Sequence, residues 1–208
     1  NPSSDLALGV GYYVEMAAGV LTDMAGNAYA GLQGDAALNF SSQPATTVFI
    51  SELHYDNSGS DVNEGVGIFG QAGSDLTGWS VVFYNGNGGA PYSTLALSGV
   101  IDDEGAGYGE LAFMQPASPG IQNGAPDALA LVDASGGLVQ FLSYEGSFAG
   151  VGGAAQGITS QDIGVAETGT EIAGLSLQLS GNGHVYETLL WNNPATASLG
   201  AINPGLIV

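Results

Sequence analysis

Residues 175–183 read LSLQLSGNG, in which apolar and polar side chains alternate before an Asn-Gly dipeptide. The alternation predicts a strand with one buried face, and Asn-Gly accepts the positive φ angles of a tight hairpin turn. Further Asn-Gly dipeptides stand at 85–86, 87–88 and 123–124, and short β-rich runs lie between such turns along the chain. The pattern predicts an all-β sandwich or barrel.

The β-rich runs set the expected strands. Strands are predicted at 12–16, 37–41, 48–55, 66–69, 79–84, 93–97, 110–113, 128–132, 139–144, 175–179 and 188–191. One helical turn is predicted at 161–165, and no segment shows the sustained period of a longer helix.

The charge balance excludes several classes of function. The chain has 208 residues with 20 Asp+Glu, no Lys, no Arg and two His, a formal net charge of −20. Nucleic acid is not an expected partner, because grooves that bind it use Lys or Arg to displace counterions. Membrane insertion is not expected either, because no apolar run reaches the roughly 18 residues of a membrane span. The absence of Cys excludes thiolate catalysis and disulfides.

The catalytic residue types that remain do not form a motif. No G-x-S-x-G sequence is present, and the two histidines, His54 and His184, stand far apart in the sequence. We expect His54 to be hydrogen-bonded at a sheet surface and His184 to lie in solvent. The chain is therefore predicted not to be an enzyme.

A domain boundary is predicted at 42–46, within the small, polar stretch SSQPATT. About 43 residues precede it, too few for an independent all-β domain. The predicted division is 1–43 and 44–208, and the second part is long enough for one complete sandwich.

The first part resembles the C-terminal half of bacterial Ig-like modules of large surface proteins. The resemblance rests on GYYVEMAAGVLTDMAGNAYAGL at 11–32 and ALNFSS at 37–42. It implies a Tyr-Tyr-Val strand, a turn at Asp23–Asn27 and a closing strand at Asn39-Phe40, with the first half of the module missing.

The second part resembles the bacterial lamin-tail-like domain, an Ig-type β-sandwich. The resemblance rests on the segments 48–68, 75–89, 120–148, 158–167, 174–183 and 199–205. It departs from the family pattern at Gly65 and Gly67, where the family has an aromatic residue and a second acid. The resemblance implies a secreted bacterial protein, in which such a domain often stands beside a nuclease or phosphatase-like catalytic domain.

The loop 56–64 is rich in oxygen ligands and is the candidate calcium site. Ca²⁺ takes six to eight oxygens, which flexible Asp/Asn/Ser loops supply. The spacing is not that of an EF-hand, so the alternative is a loop whose side chains cap its own backbone. The candidate ligands are Asp56, Asn57, Asp61, Asn63 and Glu64, and Ca²⁺ is the cofactor predicted.

Two other sets of residues have structural alternatives. The acidic run 102–104 is expected to be a solvated turn. The aromatic side chains of Tyr12, Tyr13, Trp79, Tyr84, Tyr92 and Tyr144 either belong to the core or form a sugar-stacking platform.

We expect a non-catalytic, extracellular or cell-surface module of a bacterial protein, with a structural or adhesive role. Its partners would be other copies of itself or adjoining modules, which complete the sheet of the first part and build a filament. The side chains expected to need cover are Tyr12, Val14, Met16, Leu38 and Phe40. The alternatives are an accessory region of a secreted nuclease or phosphatase and a carbohydrate-binding module.

Overall fold

The structure is a computed structural model that describes residues 6–7, 9–42 and 46–208. The chain divides into two compact units, Asn1–Ala45 and Thr46–Val208. This division falls inside the segment 42–46, where the composition changes. Whether the units belong to the Ig-like and lamin-tail-like families stays a prediction.

The described residues form strands and two short 3₁₀ turns, at Gly153–Ala155 and Tyr186–Thr188. The strands are β1 (Gly11–Tyr13), β2 (Asn39–Ser41), β3 (Phe49–His54), β4 (Gly65–Gln71), β5 (Ser80–Asn85), β6 (Pro91–Ala96), β7 (Tyr108–Met114), β8 (Asp127–Val132), β9 (Leu138–Tyr144), β10 (Gln161–Asp162), β11 (Leu175–Asn182), β12 (Leu190–Thr196) and β13 (Leu206–Ile207). The predicted all-β fold is confirmed.

The second unit, residues 46–208, is called the sandwich. One sheet has the strand order β10-β9-β8-β5-β6 and the other β12-β11-β3-β4-β7, with β13 added to β11. The main core contains Phe49, Ile68 and Leu177 from the second sheet together with Phe83 and Leu129 from the first. The sheets therefore pack face to face around one core.

Each sheet also has an outer face that another segment covers. On the five-stranded sheet, a second cluster packs Tyr84 and Phe141 against Ala155, with Phe148 beside them. On the six-stranded sheet, the outer face is polar and is contacted by the segment 197–205, called the strap. The buried polar groups under the strap belong to the candidate site below.

Three local predictions are wrong. The Asn residues of the four Asn-Gly dipeptides do not have the positive φ of tight hairpin turns. The helical turn expected at 161–165 is not formed, because Gln161–Asp162 are strand β10, which pairs in parallel with β9 through Gln161 opposite Leu142. The strand expected at 188–191 begins at Leu190, because Tyr186–Thr188 form a 3₁₀ turn. Strand β10 depends on pairing with the distant strand β9, whereas the 3₁₀ turn is closed by local backbone bonds from Thr188 N to Val185 O and from Leu189 N to Tyr186 O.

Candidate functional site

The first unit is a long two-stranded ribbon, defined here as residues 9–42. The β1–β2 pair continues through a backbone bond from Val14 N to Leu38 O and the bridge between Met16 and Leu32. It then reaches Tyr29, whose N–H bonds to Leu21 O, and ends at the Asp23–Asn27 turn. The two halves of the ribbon thus run antiparallel from base to tip.

Side-chain geometry builds the tip of the ribbon. Asp23 Oδ1 accepts the N–H groups of Ala25 and Asn27, and Oδ2 accepts the Asn27 side-chain amide at 2.8 Å. These bonds, led by the one from the Asn27 side chain, hold the pKa of Asp23 below its usual value. Further from the tip, glycine is required at position 31 for the two halves of the ribbon to approach each other, because a Cβ there would lie 2.5 Å from Met16 O.

One face of the ribbon is apolar. Tyr12 lies opposite Phe40 with the rings stacked 5.8 Å apart, and Val14 follows two residues later on the same face, opposite Leu38. Met16 is next in the alternation. The residues named from the sequence as needing cover, Tyr12, Val14, Met16, Leu38 and Phe40, therefore share one face, called the apolar strip.

The apolar strip is open to solvent. Val14, Leu38 and Phe40 are 38%, 49% and 45% exposed, and Tyr12 and Met16 are half-buried. Towards the tip, Val20, Leu21, Met24 and Tyr29 are exposed as well. No described residue of the ribbon is buried, so the ribbon has no core of its own.

The candidate calcium loop is organised by its own side chains. Asn57 Oδ1 accepts Val62 N, and the Asn57 side-chain amide donates to the carbonyls of Ser58 and Ser60. Asp61 Oδ1 accepts Asn57 N. These are the backbone-capping bonds of the structural alternative.

The remaining candidate ligands point to different partners. Asp61 Oδ2 accepts the Asn123 side-chain amide, and Glu64 Oε1 accepts Ile121 N at 2.9 Å. Asn63 is exposed and has a φ of 60°, in the left-handed region that Asn tolerates. Calcium binding by this loop stays a prediction.

Asp56 and Asp61 form a coupled pair of carboxyls. Burial, together with the charge of Asp61 and a hydrogen bond to it, raises the pKa of Asp56 to about 6. Burial also acts on Asp61, but the hydrogen bonds from Asn123 and Asn57 outweigh it and lower the pKa of Asp61. The charge of Asp61 thus opposes ionisation of Asp56, as between neighbouring carboxyls.

His54 is buried in an ion pair, contrary to the expectation of a sheet-surface histidine. Its Nδ1 lies 2.9 Å from Glu167 Oε1 and its Nε2 lies 3.1 Å from Val62 O. A carboxylate and a carbonyl both accept hydrogen bonds, so an imidazolium, which donates from both ring nitrogens, satisfies this geometry. Burial lowers the pKa of His54. The hydrogen bond to Glu167 and the charge of Glu167 raise it by more than burial lowers it, so the net shift of the pKa is upward.

Glu167 also ties the segment before β11 to the end of β3. Its Oε2 accepts the N–H groups of Tyr55 and Asp56 at 2.7 and 2.8 Å. The Tyr55 hydroxyl donates to Glu167 O and accepts Glu167 N. With both oxygens and both ring nitrogens occupied, the His54–Glu167 pair is a structural clamp.

A second set of buried carboxylates holds the strap. Glu52, on β3, accepts the N–H and the hydroxyl of Ser198 at 2.8 and 2.9 Å, and Ser176 donates to it as well. The exposed Glu104 accepts Ile202 N at 2.7 Å and Glu110 N at 2.8 Å. The acidic run 102–104 is thus more than a solvated turn.

Glu110, on β7, is 1% exposed. Ser51 donates to its Oε2, and Gly200 N donates to its Oε1 at 3.2 Å. Burial raises the pKa of Glu110 to about 8, and the charges of Glu52 and Glu104 add to the rise. Gly67 makes room for this side chain, because a Cβ there would lie 2.2 Å from Glu110 Oε1.

The aromatic side chains do not gather into one exposed platform. Tyr84 and Tyr144 are buried, and Trp79 and Tyr92 are partly buried against the core. Tyr12 and Tyr13 lie on opposite faces of the ribbon, since they are adjacent in β1. His184 is exposed, as expected, and stacks on Tyr108 at 4.7 Å.

Over residues 6–7, 9–42 and 46–208, no group of three or more His, Asp or Glu side chains is arranged to hold a metal ion. In the same residues, no helix is long and apolar enough to cross a membrane. Comparison with protein-family models, with curated proteins and with solved structures found no match for the chain.

Sequence reasoning located the apolar strip but missed the buried carboxylates. The available signal was Glu52, the one charged residue in the β-rich run from Phe49 to Leu53. No local signal links His54 to Glu167, because 113 residues separate them.

Proposed function

We propose that this chain is a non-catalytic structural or adhesive module of a bacterial extracellular or cell-surface protein. In this proposal the sandwich is a stable body, and the ribbon joins it to another copy or to an adjoining module. The contact is made by the apolar strip and by the unpaired edges of the ribbon.

The observation that carries the proposal is the exposed ribbon. A two-stranded hairpin without a third strand or a packed face is at best marginally stable in water. This ribbon has no buried residue, and large apolar side chains are exposed along its whole length. Covering the apolar strip and pairing the edges would stabilise it, which is the physical basis of strand addition between chains.

The buried titratable groups of the sandwich support a non-catalytic role. His54, Glu52, Glu110 and Glu167 each bond to groups of the fold itself. They clamp loops and the strap, and each is at most 2% exposed. A reactant would have to displace these bonds to reach them.

The accessory role beside a secreted nuclease or phosphatase remains the alternative. It requires the same stable sandwich but assigns no task to the ribbon. The carbohydrate-binding alternative is weakened because Tyr84 and Tyr144 are buried and their rings cannot stack on a sugar.

Light scattering of the full chain tests the proposal. We expect the average mass to rise with concentration, and to remain that of a monomer in a chain of residues 46–208. Leu38→Ser, in the apolar strip, should weaken the association, and Asn39→Ser, on the other face, is the control. A full chain that stays monomeric at every concentration would overturn self-assembly through the ribbon and leave an adjoining module as the only partner in the proposal.

A further inference from the structure

We propose that Asn87 is a site of spontaneous covalent modification, at which the folded chain deamidates selectively through a cyclic imide formed with Gly88. The inference goes beyond the proposed function and does not depend on it. The chain contains four Asn-Gly dipeptides, at 85–86, 87–88, 123–124 and 182–183. The structure leaves one of them free to react and restrains the other three.

Deamidation of Asn-Gly is an intramolecular substitution that needs only water. The glycine backbone nitrogen, after losing its proton to solvent, attacks the side-chain carbonyl carbon of the asparagine. A carbon–nitrogen bond forms there, and the side-chain nitrogen leaves as ammonia after taking a proton from solvent. Water then opens the five-membered imide at either carbonyl, which gives aspartate or isoaspartate. A glycine N–H or an asparagine side chain that is held by hydrogen bonds reacts only after local opening, which costs free energy.

The dipeptide at 87–88 has neither restraint. Asn87 and Gly88 are exposed in the turn between β5 and β6. Asn87 N donates to Asn85 Oδ1, but among the described residues neither the Asn87 side chain nor Gly88 N has a hydrogen-bond partner. A Cβ on Gly88 would meet no atom within 4 Å, so the backbone has room for the ring to close.

The neighbouring dipeptide at 85–86 is restrained in both ways. Gly86 N donates to Asp127 Oδ1 at 2.8 Å, and the Asn85 side-chain amide donates to Gln122 Oε1 at 2.6 Å. Gly86 is also crowded, because a Cβ there would overlap Pro126 O. Two asparagines only two residues apart are therefore expected to react at very different rates.

Exposure alone does not select Asn87, because Asn123 is exposed as well. Its side-chain amide donates to Asp61 Oδ2 at 3.0 Å, and Gly124 N donates to Asp127 Oδ2 at 2.9 Å. One buried carboxylate, that of Asp127, thus holds the attacking nitrogens of two Asn-Gly dipeptides.

The dipeptide at 182–183 is protected through its glycine. Asn182 is exposed at the end of β11, opposite Ile207 of β13. Gly183 N donates to Ile207 O at 2.8 Å. Because the Asn182 side chain has no hydrogen-bond partner among the described residues, this dipeptide tests the effect of the glycine hydrogen bond by itself.

The modification changes charge at one surface depression. Asn85, Asn87, Gln122 and Asp127 line this depression. Deamidation adds a carboxylate there to a chain whose net charge is already −20, and isoaspartate also lengthens the main chain by one carbon. The backbone bond from Asn85 N to Ala90 O closes the hairpin below the modified residue, so we expect the sandwich to stay folded.

Peptide mapping of the full chain tests the inference. The chain is aged in mildly alkaline buffer, with and without urea, and is then cut with chymotrypsin, since it has no Lys or Arg for trypsin. Fragment-ion mass spectrometry follows deamidation at each asparagine. In the folded chain we expect Asn87 to react at least tenfold faster than the other three, and in urea we expect the four rates to converge. A different fastest site in the folded chain, or the same ranking with and without urea, would overturn the inference.

Two sets of variants test the cause. Asn87→Gln, which would need a six-membered ring, should remove the rapid charge change of the aged chain, and Asn123→Gln is the matched control that should leave it unchanged. Asp127→Ala frees Gly86 N and Gly124 N, so deamidation at Asn85 and Asn123 should accelerate. An unchanged rate at Asn182 in this variant shows that it stays folded. Unchanged rates at Asn85 and Asn123 would overturn the protective role of the glycine hydrogen bonds.

Discussion

Replacing Glu110 by Gln should make the sandwich more stable at alkaline pH. Glu110 is buried beneath the strap, beside the carboxylates of Glu52 and Glu104, in a chain without Lys or Arg. Burial raises its pKa from 4.5 to about 8. The fold therefore favours the protonated form, and its contribution to stability is complete below pH 4.5 and is lost as the pH rises to about 8.

The pKa shift of Glu110 sets the size of the expected stability difference between Glu110→Gln and the wild type. A difference of about 3.5 pKa units corresponds to an upper limit of about 5 kcal/mol between the two protonation states. Gln has the same shape and keeps an oxygen acceptor for Ser51 or Gly200, but it never ionises. We expect Glu110→Gln to match the wild type near pH 4.5 and to exceed it by up to about 5 kcal/mol at pH 9.

Urea unfolding at a series of pH values, followed by the fluorescence of Trp79 and Trp191, measures this difference. Both tryptophans are in the sandwich, so the signal reports that unit. The control is Asp102→Asn, which removes one negative charge from an exposed side chain. A difference between Glu110→Gln and wild type that stays flat from pH 5 to pH 9 would refute the reasoning, because Glu110 would then be ionised throughout.

Three further predictions concern the sandwich. His54→Gln leaves Glu167 as a buried charge without its cation and should lower the free energy of unfolding by about 3 kcal/mol at pH 6. This loss should shrink as the pH rises through the raised pKa of His54. An unchanged loss at pH 10 would argue against an imidazolium. Gly67→Ala drives a methyl group against Glu110 and should cost about 2 kcal/mol in urea unfolding, so a neutral result would mean that the carboxyl moves freely. Calcium should raise the melting temperature more than NaCl of equal ionic strength, and Asp56→Asn should remove the excess; equal effects of the two salts would reduce calcium to screening.

Part of the strand pattern was predictable because it depends on local alternation. The run from Leu175 to Leu179 marks strand β11 without reference to the rest of the chain. The Asn-Gly dipeptides were weaker guides, because none of their four Asn residues has the positive φ of a tight hairpin turn. Strand β10 was not predictable, because Gln161-Asp162 becomes extended only by pairing with Leu142 and Ser143.

In the candidate site, too, local patterns could be predicted from the sequence and long-range contacts could not. The apolar strip could be predicted, since β-strand alternation alone places Tyr12, Val14 and Met16 on one face. The clamp and the strap could not, because 113 residues separate His54 from Glu167 and 146 separate Glu52 from Ser198. The need for glycine at position 67 also appears only in the structure, where the missing side chain makes room for Glu110.

Hydrogen exchange of the ribbon in the full chain tests most directly the claim that the ribbon functions by docking on a partner. The amides of Val14, Met16 and Leu32 bond across the ribbon and report its formation residue by residue. We predict fast exchange of these amides in dilute solution and protection that grows with concentration, while the amides of β3 and β11 stay protected throughout. Protection of the ribbon amides that is strong and identical at every concentration would contradict the account, because the ribbon would then be stable without a partner.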